Sequence, residues 1–227
     1  MDSIFNEAFD ASVEQLPDLP RKNGVSSTNT VFHDGHIYMV GGHDGTAATS
    51  NVLIYDFESA QWTQGPSMPV LLQGMALVSH MDKIYSLGGY DISFNRVDDV
   101  HVLDTQSNTW STGVDLTVAK QHGAAFSDGT KIYYVGGDQA HQASDFDRDD
   151  IYSMNPDVDG SWTLVQQKLT YLYADGTYVY TGGKFYLMGS EQLTERRKIT
   201  VYDPVGRSTS ALASLPADSR QAVAFGF

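Results

Sequence analysis

The chain has 227 residues, no cysteine and a formal charge of −14 at neutral pH. That balance repels nucleic acid and anionic membrane surfaces, and the missing thiols exclude disulfide frameworks, thiolate nucleophiles and cysteine-ligated zinc. An apolar content of 41% with 11% aromatic residues fits a globular chain rather than a disordered one.

Residues 1–10 lack the basic start and apolar run of a secretory signal. The apolar runs of the chain are strand-sized, so no transmembrane helix is expected, and the expected compartment is cytoplasmic. Next comes Val13-Glu14-Gln15-Leu16-Pro17-Asp18-Leu19-Pro20, which lines up with Trp62-Thr63-Gln64-Gly65-Pro66-Ser67-Met68-Pro69 further on. Residues 13–20 therefore read as the last strand of a preceding unit, with Val13 at the tryptophan position. A short helix over residues 5–9 is the competing reading.

The first full unit follows. Strand A covers residues 29–33, and Asp34-Gly35 is a two-residue hairpin signal. Strand B covers residues 36–40 and closes on Gly41-Gly42. A loop of small residues leads to strand C at 52–55, Asp56 opens a turn, and strand D carries Trp62. Pro66 and Pro69 then stop the ladder, since proline donates no backbone N–H.

The same order recurs. The second unit has strands at 76–79, 84–87 and 100–103, then Asp104 and Trp110. The third has 124–126, an Asp128-Gly129 turn, 132–135 and 151–154, then Trp162. The fourth is worn: its hairpin is Thr181-Gly182-Gly183, its glycine pair is Gly189-Ser190, Tyr202-Asp203 survives, and Thr209 or Ser210 stands where tryptophan belongs. Residues 220–225 read as one more strand A. The anchors of this repeat are His36-Ile37-Tyr38-Met39-Val40-Gly41-Gly42, Lys83-Ile84-Tyr85-Ser86-Leu87-Gly88-Gly89, Lys131-Ile132-Tyr133-Tyr134-Val135-Gly136-Gly137 and Lys184-Phe185-Tyr186-Leu187-Met188-Gly189-Ser190. They start 47, 48 and 53 residues apart. A period of this size marks a repeat architecture, in which each unit needs neighbours to cover its apolar faces.

Strands B and C are apolar at both parities, as in Ile37 and Met39 against Tyr38 and Val40. Such strands lie in sheets covered on both faces. The expected fold is therefore all-β: a β-propeller of four-stranded antiparallel blades, with four blades plus stray first and last strands of a fifth. The expected blades span about residues 21–66, 70–114, 119–166 and 169–214, within a single domain over 1–227. The glycines and tryptophans read as packing elements. No helix follows the glycine pairs, which argues against a phosphate cradle.

The glycine pair, the tyrosine–aspartate step, the tryptophan six or seven residues later and the proline-rich close together resemble the kelch repeat. The likeness covers about residues 13–225. A basic residue commonly follows the proline step in that family. Arg21 fits, Lys120 fits loosely, Arg220 is displaced, and the second unit has Val70-Leu71-Leu72 instead. The resemblance implies a protein-interaction module of the kind found in cytoskeletal proteins and ubiquitin-ligase adaptors. It also admits a carbohydrate-active or specifier enzyme. The galactose-oxidase-like members use a copper site with a cysteine–tyrosine crosslink, which this chain cannot form. Kelch rings usually have more blades than four, so the chain reads first as a piece of a longer protein; completion of its blades by another chain and closure in an unusually small ring are the competing readings.

Strand direction alternates, so the B–C loops and D–A connections emerge on one face, and loops on a rigid scaffold carry variable chemistry. The candidate binding residues there are His43, Tyr90, Phe94, Arg96, His141, Arg148 and Arg196; Tyr90, Phe94 and Arg96 have the composition favoured at protein interfaces. Phe94 folding back onto its own blade is the competing reading. Asp145, Asp147 and Asp149 alternate as in a calcium loop, but the glycine and terminal glutamate of such a loop are missing. No metal or cofactor and no catalytic residue is therefore expected, and the expected partner is a protein rather than nucleic acid or membrane.

Overall fold

The structure, a computed structural model, describes residues 17–20, 26–138, 150–166, 169, 177–188 and 197–214. The described residues form sixteen strands and no helix. They make four antiparallel sheets, each of four strands in sequential order, arranged as the blades of a propeller. The first blade holds β1 (Asn29–His33), β2 (His36–Val40), β3 (Val52–Asp56) and β4 (Gln61–Gln64). The second holds β5 (Ala76–His80), β6 (Lys83–Leu87), β7 (Val100–Asp104) and β8 (Thr109–Thr112). The third holds β9 (Ala124–Ser127), β10 (Ile132–Val135), β11 (Ile151–Met154) and β12 (Thr163–Gln166), and the fourth β13 (Thr177–Thr181), β14 (Lys184–Met188), β15 (Ile199–Asp203) and β16 (Ser208–Ala211).

Turn chemistry explains the tight hairpins. Asp34 and Gly35 both have positive φ (45° and 75°), as a turn matched to strand twist requires. The third hairpin differs from the sequence reading. Ser127 pairs with Ile132 and the Asp128 N–H donates to the Lys131 carbonyl, so the turn centres on Gly129-Thr130 rather than Asp128-Gly129. In the fourth blade Tyr202 pairs with Thr209, as Tyr55 pairs with Trp62 and Leu103 with Trp110. Thr209 therefore holds the tryptophan position. The expected fifth-blade strand at 220–225 lies outside the described residues, as do residues 13–16 of the expected strand at 13–20.

The first strands of neighbouring blades lie against one another, β1 on β5, β5 on β9 and β9 on β13, so they surround the axis. The Tyr178 hydroxyl of β13 donates to the Leu77 carbonyl of β5 at 3.4 Å, joining the fourth blade to the second. Three apolar seams fill the space between blades. Tyr38, Val40 and Val52 meet Leu77, Ile84 and Leu103 in the first. The opposite face of the second blade, with Tyr85, Leu87 and Val102, meets Ile132, Tyr134 and Trp162 in the second seam. Phe126, Tyr133 and Val135 meet Phe185, Leu187 and Tyr202 in the third. Both parities of these strands are thus buried, one face per neighbour.

Each tryptophan also ties its blade to the segment that precedes that blade in the chain. Its indole N–H donates to a backbone carbonyl there: Trp62 to Pro17 at 3.1 Å, Trp110 to Pro66 at 2.8 Å and Trp162 to Val114 at 2.8 Å. The three acceptors hold equivalent places, four residues after the tryptophan position of the preceding unit.

The blades fill their inner ends differently. In the third, Tyr134 lies where a Cβ on Gly123 would come within 2.5 Å of its ring and hydroxyl. The equivalent pair in the second blade is Met75 with Ser86, a large residue before strand A and a small one on strand B, the reverse arrangement.

Candidate functional site

The glycine pairs seat the D–A connections beneath the B–C loops. A Cβ on Gly41 would come within 2.7 Å of the Leu72 carbonyl, and the Gly42 N–H donates to that carbonyl at 3.1 Å. At the axis the connections bond in series: Gly74 N–H to the Ser27 carbonyl and His122 N–H to the Gly74 carbonyl. Ser27, Gly74 and His122 all have positive φ. This rigid floor carries the loops.

The second B–C loop, residues 90–96, is held from within. One Asp91 carboxylate oxygen accepts from the backbone N–H groups of Ser93 and Asn95, and the other from the Asn95 amide. The Asn95 side chain and backbone, then Ser93, hold this carboxyl below its usual range. Tyr90 is buried and bridges to both Gln73 and Arg96; its hydroxyl donates to the Gln73 side chain at 3.4 Å. Gly74 leaves room for it, since a Cβ there would meet both Tyr90 and His122 at 2.8 Å or less.

Phe94 is 61% exposed and Ile92 64%. Phe94 has φ of 62°, a conformation unfavourable for a side chain with a Cβ. Its ring stacks on Tyr90 with centroids 5.8 Å apart and planes at 15°. It therefore rests on its own blade with one face and shows the other to solvent, which combines the two alternatives read from the sequence.

Arg96 lies elsewhere. Its guanidinium is buried between the second and third blades, donating to the Asp138 carbonyl at 3.1 Å and to the Asp138 carboxylate at 3.2 Å. The planar fork suits a carbonyl and a carboxylate of one residue, and it clamps one loop to the next instead of facing solvent. His43 is also absorbed by local structure. It forms bridges to Ser26 and Ala48, and its Nδ1 accepts from the Gly45 N–H at 3.1 Å. His141, Arg148, Arg196 and the alternating aspartates 145, 147 and 149 lie outside the described residues. Among the described residues no three histidine or carboxylate side chains group as metal ligands, and no helix is long and apolar enough to cross a membrane.

A buried cation beside this face escaped the sequence reading of its role. Lys120 is only 1% exposed. Its ammonium donates to the Gly136 carbonyl at 3.1 Å, pairs with the Asp150 carboxylate and lies 5.4 Å from the Tyr152 ring centroid. Its place ten residues after Trp110, where the kelch pattern carries a basic residue, is the visible signal; its partner, 30 residues on, is not. On the opposite face, the ends of the inner strands are also linked. His33 bonds Ser79 at 2.8 Å and His80 bonds Ser127 at 2.7 Å, each across a seam.

Comparison with known proteins agrees with this geometry. A family model described as the Kelch motif matches residues 25–69. An F-box/kelch-repeat protein of Arabidopsis thaliana is 36% identical over 74 residues, covering 33% of this chain and 18% of that protein. Kelch-like protein 41 of Homo sapiens is 36% identical over 76 residues, covering 33% and 12%. Alpha-scruin of Limulus polyphemus is 45% identical over 60 residues, covering 26% and 6%. The matched stretch thus spans less than a fifth of each of these relatives. Among solved structures, that of YjhT superposes with a TM-score of 0.75 over 90% of this chain and 69% of that one. Their sequence identity is 16%, so this likeness concerns the fold alone.

Proposed function

We propose that this chain, a kelch-repeat propeller, is a protein-interaction module that anchors its partner on the second B–C loop. Phe94 carries the reading: an exposed aromatic, kept in an unfavourable backbone conformation by the Asp91 turn and backed by Tyr90. A loop ordered before binding loses little entropy on binding, and aromatic anchors supply much of the affinity at interfaces. Ile92 and Leu71, both exposed, extend the apolar surface on this side of the blade. With Asp91 at the foot of the loop and a chain of charge −14, the complementary partner presents an apolar pocket rimmed by basic residues. Partners of the cytoskeletal or ubiquitin-ligase-adaptor type are the first to screen, and association between copies of this chain is a further form the same surface permits.

The test uses purified chain as bait, with Phe94→Ala and Ile92→Asp beside the wild type. A partner identified with the wild type should bind Phe94→Ala weaker by about 2 kcal/mol, roughly thirtyfold, with the circular dichroism and melting temperature retained. Equal capture by all three proteins would refute the assignment of this loop. Mass in solution by light scattering, with and without Phe94→Ala, separates a foreign partner from a second copy.

A further inference from the structure

Among the described residues, the opposite face carries clefts at two equivalent seams, each between the A–B hairpin of one blade and the C–D turn of the next. The cleft between the first two blades holds about 500 Å³ and is lined by Asp34 and Asp82 with His33 and His36, without lysine or arginine. The cleft between the third and fourth blades holds about 240 Å³ and is lined by Lys131 and Arg207 beside Tyr133, Tyr202, Asp128 and Ser153, among others. In a chain with 14 basic and 28 acidic residues, this cleft gathers two cations, set against Asp128 in its lining and Asp203 close enough to act on Tyr202.

The polar groups of this cleft are unevenly satisfied. The Asp128 carboxylate accepts from the backbone N–H groups of Thr130 and Lys131 and from the Tyr133 hydroxyl, at 2.7–2.9 Å. Burial pushes this carboxyl up, yet those donors and the Lys131 charge bring it below its usual range, so it is a settled anion with its lone pairs engaged. Tyr202 is different. It is fully buried, and its hydroxyl has no hydrogen-bond partner among the described residues. Burial pushes its phenol up, so it stays a neutral donor with nothing to donate to. A buried donor without an acceptor is costly, and where it lines a cleft with two cations the missing group is an acceptor with negative charge.

We propose that this cleft binds a small oxyanion, a carboxylate or phosphate group, with Lys131 and Arg207 supplying charge and the Tyr202 hydroxyl donating a hydrogen bond. The cleft volume is below the range of about 300–1,000 Å³ typical of drug-sized ligands, so it takes one compact group. The site lies on the face away from Phe94 and does not depend on the reading of that loop.

The experiment is a titration of the full chain with sodium phosphate and with sodium citrate at fixed ionic strength and neutral pH. It is followed by the chemical shifts of the Tyr202 and Arg207 signals and by the melting temperature. Saturable binding is expected. Lys131→Gln and Arg207→Gln should each weaken it roughly tenfold, the loss of one charge-assisted contact. Tyr202→Phe should weaken binding while leaving the ligand-free melting temperature equal or higher. That readout separates a binding role from a packing role, because a hydroxyl needed only for structure would lower it. Tighter binding of an acidic peptide than of phosphate or citrate would assign the anion to a partner's side chain rather than a free molecule. Shifts that do not saturate, or that persist in Lys131→Gln and Arg207→Gln together, overturn the proposal.

Discussion

Replacing Gly88 by alanine tests the reasoning about the glycine pair quantitatively. Gly88 has φ of +62°, and a Cβ there would stand 2.4 Å from the Lys120 carbonyl oxygen, 3.3 Å from the Val97 carbonyl and 3.2 Å from a Leu116 methyl. The Lys120 carbonyl cannot easily retreat, because it accepts the Gly89 N–H at 2.7 Å and belongs to a residue whose side chain is locked in a buried ion pair. Gly129 is the control: its φ is +88°, but a Cβ there would meet nothing within 4 Å. Both substitutions incur the left-handed backbone cost of about 1–2 kcal/mol. Only Gly88→Ala adds an overpacking cost of about 1–3 kcal/mol. At about 2–4 °C per kcal/mol for a chain of this size, Gly88→Ala should melt roughly 4–20 °C below the wild type and Gly129→Ala roughly 2–8 °C below. Calorimetry of the three proteins side by side measures the difference. Equal losses would mean that the glycine pair answers only to backbone angle and that close approach of the D–A connection contributes nothing.

Lys120→Met removes the ammonium that pairs with the Asp150 carboxylate in the interior and should cost about 3–5 kcal/mol in urea unfolding. The double variant Lys120→Met with Asp150→Leu should recover most of that loss, and failure to recover would show that the pair is not the main interaction of Lys120. His101 is buried, with neither ring nitrogen bonded among the described residues, and burial holds it below its usual range against the pull of Asp99 and Asp115. The folded state therefore keeps it neutral while the unfolded chain takes up a proton below about pH 6.5, so its stability contribution is full above that value and falls as pH drops through the window beneath it. His33 and His80, lowered by burial in the same way, act with the same sign. His101→Leu, which places at this register the residue found in the first blade at Leu53, should raise stability at neutral pH by about 1 kcal/mol and flatten the loss between pH 7 and 5.5 in denaturant titrations; an unchanged pH slope would refute the assignment.

The features legible in the sequence were those that the first three blades share. Gly41-Gly42, Gly88-Gly89 and Gly136-Gly137 recur because each blade must admit the connection that runs beneath its loop. Trp62, Trp110 and Trp162 recur because each finds a backbone carbonyl four residues after the tryptophan position of the preceding unit. Features that occur once were not legible. Arg96 looks like a solvent-facing interface residue until Asp138 is placed opposite it, and that requires the position of the next blade. Tyr202 reads in the sequence as part of the surviving Tyr202-Asp203 step, and only the fold shows that its hydroxyl has no acceptor among the described residues. In the third hairpin, Asp128-Gly129 carries a strong turn signal, yet the register continues one step further because Asp128 stands where His33 and His80 stand in the earlier blades.

The exchange of Met75 and Ser86 for Gly123 and Tyr134 has an evolutionary consequence. Blades that share a template look interchangeable, like beads, but these two have been cut to different keys. A copied second blade would carry its own small Ser86 beside Met75, whereas a methionine set alone at Gly123 would collide with the phenol ring of Tyr134. Growth or loss of units in such an array therefore proceeds by whole blades, with the two halves of each match moving together.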